Sequence, residues 1–485
     1  MKRSFLVGGM GLFLSLSLLA PRRINAYEPA TTQAGLLQQG ALGSRLHQVL
    51  INAFGRSLGL FEPLVLDKKN ASTDALLLWQ RLILLDPAQG YRPGSRGDQS
   101  ALGWLSAGAV LAETPAEEGR HHYFLPTTGR GLDDRKGVSG AAQALSGAID
   151  SGEGRTGVRS LGTGMAFDQT GMPSTAWLFS GQNDLSVTRF VYWVSKSATL
   201  ATPAQRDSAL ARALLCAGAT AAVLIDAGEP AHVRNDFRAA HESNALNYER
   251  YVAERHGREG LPASLKPVSR PSLLAFITAP DGEGLADRTH RRFFSEGSVP
   301  ADVPLSPAQS TIEILERAGE GLAFPLPNLP RLSIANDNRV KYLKMEGRRA
   351  LAYKRLPNRL HFFLDEAVFK DTAKAVLPEI EAYVAGMLNH LIRVQLQLTI
   401  SNGQVSVGAK GLTGPISGGQ LELVWEDENG QRHAMGEAIA VADSDAVAAV
   451  HVAVPAAASR VVAVLRGQDH AGPIAAVGQA STEKM

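Results

Sequence analysis

The stretch Asp226-Ala-Gly-Glu-Pro-Ala-His232 holds residues that can do chemistry at a usable spacing. It follows a long run of small apolar residues. A carboxylate at a helix end and an imidazole six residues on, across a proline turn, can converge on one point, and an oxygen–nitrogen donor pair suits a divalent metal. On this stretch alone, an aspartate in a turn and a surface histidine remain the competing reading. The only cysteine is Cys216, so an intrachain disulfide framework and a thiolate metal cluster are both excluded. Any metal would be held by His, Asp and Glu, and the chain has 12 histidines. Other chemistries lack support. There is no Gly-x-Ser-x-Gly elbow and no Gly-Lys-Ser/Thr phosphate loop. Gly152-Glu-Gly-Arg-Thr-Gly157 spells a dinucleotide fingerprint, but no strand precedes it and no helix follows, so it reads as loop.

These residues need elements to position them. Leu42, Leu46, Val49, Leu50 and Ala53 recur at helical spacing, and residues 72–85 and 99–113 read as further apolar helices. The clearest helix spans 203–227: Thr202 suits its cap, Pro203 its first turn and Gly228 its end. Its Ala- and Leu-rich interior predicts a central, closely packed helix. Helices are also expected at about 243–255, 309–319 and 365–394, the last bent or broken near Pro378. Residues 127–171 are rich in Gly and Ser and read as a long loop. After Arg393 the pattern changes to period two, as in Val394-Gln-Leu-Gln-Leu-Thr-Ile400 and Leu421–Trp425, which predicts a β sandwich over 395–485.

The 485 residues allow two or three domains. Lys plus Arg is 49 and Asp plus Glu is 47, so a general nucleic-acid-binding surface is not expected. Residues 1–26 read as an export signal: Lys2 and Arg3 precede an apolar run, and Ala26 offers a small residue at the cleavage point. The expectation is an exported chain starting at Tyr27, extracellular or periplasmic, with no later stretch approaching the length of a membrane span.

Four segments in order resemble the bacterial zinc-dependent phospholipase C family, whose fold is shared with single-strand-specific zinc nucleases. They are Thr31-Thr-Gln-Ala-Gly-Leu36, Gly108-Ala-Val-Leu-Ala-Glu113, His121-His-Tyr-Phe124 and Asp226 to His232, followed by a helix bearing Glu249. The resemblance runs from about residue 27 to 255. It implies a mainly α fold, with a helical domain over 27–394 and a small C-terminal β sandwich, and hydrolysis of phosphodiesters or phospholipids by clustered zinc.

Carried over residue by residue, the resemblance makes the amine of Tyr27, Glu113, His122, Asp226, His232 and Glu249 the metal ligands. Asp226 would bridge the ions, and Glu113 would act as ligand or base. His241 supplies a ligand in an alternative register, and His121 is an adjacent alternative to His122. The family pattern is incomplete: Gln33, Ala222 and Ala245 stand where the family has histidine. The surviving donors suit one or two zinc ions rather than three, or none. Two functions follow: a zinc-dependent phosphoric ester hydrolase of weakened activity, or a non-catalytic descendant serving as a surface or envelope binding module. The resemblance also raises membrane contact through the C-terminal domain, although that segment shows no acidic calcium loop or aromatic cluster.

Overall fold

The computed structural model describes residues 27, 32–64, 99–113, 116–132, 170–236, 247–255, 266–299, 302–304, 333–337, 340–357 and 359–482. Residues 1–26, 72–85 and 309–319, the fingerprint at 152–157, most of the Gly-rich segment, His241 and Ala245 lie outside them.

Eight helices form the scaffold used below: α1 Ala34–Gly43, α2 Leu46–Phe54, α3 Ala101–Ala112, α4 Val187–Thr199, α5 Pro203–Asp226, α6 Tyr248–Arg255, α7 Leu285–Arg292 and α8 Glu366–Leu391. The expected helix through Leu42–Ala53 is two helices, broken at Ser44 and Arg45, and Leu42 is exposed. The helix expected over 365–394 spans Glu366–Leu391 and runs without a break through Pro378.

Helix α5 is the axis. The Thr202 hydroxyl accepts from the Gln205 N–H, and the Gln205 side chain accepts from the Thr202 N–H, giving a reciprocal cap with Pro203 in the first turn. From Ala209 to Asp226 every residue is buried. By length and composition α5 could cross a bilayer, contrary to the sequence expectation, but it is wrapped by protein. It packs most extensively on α3 and α4. Gly108 of α3 and Gly218 of α5 make the first crossing close. A methyl on Gly108 would collide with the carbonyl of Leu215, and one on Gly218 with the carbonyl of Leu105. These glycines bring the ends of α3 and α5 together.

The region expected to be wholly helical also contains a five-stranded antiparallel sheet. Its order is Val303–Pro304, Arg359–Phe363, Arg348–Leu356, Val340–Met345, Ser333–Asp337. The strands Val340–Met345 and Arg348–Leu356 join through Glu346 and Gly347, both at positive φ, as a two-residue hairpin turn requires. Leu343, Leu351, Tyr353, Leu360 and Phe362 form its own small core.

From Gln395 onward the described residues form two sheets, with one short helix at Ser444–Ala448. One is ordered Arg432–Ala434, Ser417–Glu426, Arg460–Asp469, Gly472–Ser481; the other is ordered His451–Ala453, Gln404–Lys410, Gln395–Ser401. Val405, Val407, Leu421, Leu423, Val461, Ala463 and Leu465 fill the space between them. The alternate residues Val424, Val462, Val464, Ala475 and Val477 belong to the helical core. Helix α4 covers this face of the larger sheet. Arg393 adds a polar tie at the junction: its guanidinium donates to Asp469 (2.5 Å) and to the carbonyls of Gly472 and Pro473 (both 2.8 Å).

Candidate metal centre

Helix α3 ends at Glu113, its C-cap residue, and α5 ends at Asp226. The short turn Ala116–His122 then brings His122 to meet both. Nδ1 of His122 lies 2.5 Å from Oδ2 of Asp226 and 2.8 Å from Oε1 of Glu113. One nitrogen facing two carboxylates cannot donate well to both. Gln33, just before α1, donates from Nε2 to the other Asp226 oxygen, Oδ1, at 2.7 Å.

Past Asp226 the chain turns through Glu229 and Pro230 into the short helical turn His232–Arg234. Oε2 of Glu229 accepts the His232 N–H at 2.8 Å and lies 3.0 Å from His232 Nδ1. The ring of Tyr123 stacks on His232, with centroids 3.9 Å apart. Glu249, in the first turn of α6, completes this second group. Within each triad, Glu113–His122–Asp226 and Glu229–His232–Glu249, one donor atom per residue lies within 4.8 Å of the others. Both triads could hold a metal ion.

The donor atoms make the case for a cation. Among the described residues, Oε2 of Glu113, Nε2 of His122, Oε1 of Gln33, Nε2 of His232 and Oε1 of Glu249 are buried without a hydrogen-bond partner. Buried polar atoms are ordinarily paired, so five orphans in one place indicate an absent partner. Four carboxylates face two imidazoles, a negative excess even if both rings are charged. Burial opposes charge on His122, but the carboxylates of Glu113 and Asp226 outweigh it and hold its imidazolium up to about 10. Burial and the nearby Glu113 push Asp226 up to about 6. Burial, reinforced by Glu229, holds Glu249 well above the usual carboxylate range. On Glu113, burial acts upward, but the facing His122 outweighs it and lowers the carboxyl.

The structure thus brings together Glu113, His122 and Asp226, and places His232 with Glu249. Tyr27 is fully buried beside this region, its hydroxyl donating to that of Tyr248 (3.1 Å), and the field of Glu229 and Asp226 reaches its ring. His121 is not an alternative to His122: it stacks on Trp177 and its Nδ1 accepts the Met172 N–H. Ala222 lies in the apolar core. Sequence reasoning misses Glu229. Its signal is a third donor type, Glu229, midway between Asp226 and His232 in the turn that joins them. A pocket of about 50 Å³ lined by His122, Trp177, Asn183 and Glu118 lies against the first triad.

No family model and no curated protein matches the chain. Among solved structures it is similar to the alpha toxin from Clostridium absonum, at 7% identity with a TM-score of 0.28, over 95% of this chain and 100% of that one. At that level of likeness, the functional reading rests on the side chains.

Proposed function

We propose that this chain is an exported, zinc-dependent hydrolase of phosphoric esters, with a centre for one or two ions. The observation that carries this reading is the pair of buried triads meeting at the ends of α3 and α5, with their orphaned donor atoms. Three protein donors in the first triad leave a coordination position open, as catalytic zinc sites do. Glu113, His122 and Asp226 would hold one ion, and His232 and Glu249, with Glu229 beside the imidazole, would serve the other. Zinc supplies, when bound, a water acidified to near neutrality and a clamp on phosphate oxygens.

The chain's own residues supply the rest. Asp226, within the field of both histidines, holds the negative charge common to the two triads. Gln33 fixes the rotation of its carboxylate through Oδ1. Glu113 Oε2, buried without a hydrogen-bond partner among the described residues, is available to the ion or to a water beside it. Trp177 and Tyr123, stacked on His121 and His232, exclude water from the faces of those rings.

One observation favours the second reading, a non-catalytic binding module: Gln33 occupies an Asp226 oxygen that a metal-ligating histidine would leave to the ion. The two separate by experiment. Zinc-loaded protein starting at Tyr27 is expected to carry one or two ions per chain by native mass spectrometry, fewer in Asp226→Asn, and to cleave bis(p-nitrophenyl) phosphate or lecithin vesicles. Bound zinc without turnover would support the binding module. No zinc in the wild type would overturn both the metal centre and the hydrolase.

A further inference from the structure

Glu229 has a role that the triad geometry alone does not give it. We infer that Glu229 is a positioning residue: it fixes the Nδ1–H tautomer of His232 and so makes Nε2 the atom offered to the metal. This inference rests on the metal centre proposed above.

One oxygen, Oε2, accepts the His232 backbone N–H at 2.8 Å, and the same oxygen lies 3.0 Å from Nδ1. An oxygen already accepting a backbone N–H meets Nδ1 as an acceptor, so Nδ1 must carry the hydrogen. That leaves the lone pair on Nε2, which is buried and without a partner among the described residues. The residue is held in this pose at its ring and at its backbone. Tyr123 stacks on its face at 3.9 Å, and the Phe124 N–H donates to the His232 carbonyl at 3.2 Å. Glu229 is itself placed by the turn that ends α5, where its N–H donates to the Asp226 carbonyl at 2.9 Å. A carboxylate behind a ligating histidine fixes the ring tautomer and orientation, and its loss costs about 10–100-fold in metal affinity. The ion beside His232 would then be held by His232 Nε2 and Glu249, with Glu229 behind the imidazole rather than on the ion.

The test uses the full chain starting at Tyr27 and two variants. In the metal-free protein, 15N–1H correlation of the His232 ring is expected to show the hydrogen on Nδ1 and a bare Nε2 in the wild type and in Glu229→Gln, whose amide oxygen still accepts. Glu229→Ala should show a mixture or the Nε2–H form. Zinc competition against a chromophoric chelator should give Glu229→Gln an affinity within about tenfold of wild type, and Glu229→Ala a loss of about 10–100-fold. An Nε2–H tautomer in the wild type overturns the inference. Loss of a whole zinc equivalent in both variants, with the tautomer unchanged, also overturns it and makes Glu229 a ligand. The tautomer is read without metal, so a protein that binds no zinc removes the proposed function while this measurement still decides the role of Glu229.

Discussion

Gly218→Ala sets two effects against each other, and the close crossing of α3 and α5 decides the sign. In a helix with free space, replacing glycine with alanine stabilises by about 1 kcal/mol. At Gly218 the new methyl would collide with the Leu105 carbonyl, and it would lie 3.2 Å from the Gly108 Cα. Both obstacles are backbone, so no side chain can swing aside. The helices must part by about 1.5 Å to restore ordinary contact. Overpacking of this kind costs about 1–3 kcal/mol. With an unyielding neighbour the upper end applies, and the net effect is a loss of about 2 kcal/mol. The separation also moves Glu113, at the end of α3, away from Asp226, at the end of α5. Zinc affinity should fall by about 10–100-fold, the range seen when a supporting contact of a metal ligand is lost. Urea unfolding with chelator present reads the first effect, and chelator competition reads the second. Gly181→Ala, where a methyl meets nothing, is the control. A Gly218→Ala protein as stable as wild type, or more so, with unaltered zinc affinity, would refute the claim that this crossing sets the centre.

Three other outcomes are expected. In chelated protein, the folded pKa of His122 is raised to about 10 and that of Asp226 to about 6, so the stability each contributes is present at low pH and lost as pH rises through its folded value; the melting temperature should decline from about pH 4 to 6 through Asp226 and from about pH 6.5 to 10 through His122, and a rise across those windows would contradict the pairing. Arg393→Ala leaves the buried Asp469 carboxylate without its guanidinium and should cost about 3–5 kcal/mol in urea unfolding, with Arg393→Lys a poor rescue because three acceptors need a fork; a loss under about 1 kcal/mol would show the tie to be dispensable. Burial pushes the Cys216 thiol up to about 12, so iodoacetamide should label it only as the chain unfolds, and rapid labelling of native protein would show that α5 is not enclosed.

Local signals make α5 legible in the sequence: a Thr202 cap with Pro203 behind it, and a run of small residues ending at Asp226. The same logic locates the period-two segments after Arg393. Strands 340–345 and 348–356 carry an equally local signal, since Val340-Lys-Tyr-Leu-Lys-Met345 mixes apolar and cationic residues around a Glu-Gly turn. The family resemblance, which implies helices there, hides it. Glu113, His122 and Asp226 are recognisable by residue type and order, but their convergence depends on Gly108 and Gly218, whose importance appears only when two helices cross. Glu229 reads as part of a turn because a glutamate before a proline is common in loops. Its place behind an imidazole is a three-dimensional fact. His241, the alternative-register ligand, lies outside the described residues.

The alternation along strand Arg460–Asp469, with Val461, Ala463 and Leu465 facing the other sheet and Val462 and Val464 facing the helices, has a consequence for modularity. The larger sheet has already used both of its faces. A cut at Arg393 would strip apolar cover from each half at once, so the C-terminal region is not a cassette to be excised, grafted or left to swing on a tether. Whatever meets this region from outside must approach by its loop tips, its strand edges or the outer side of the smaller sheet, where Gln395, Gln397 and Thr399 are exposed.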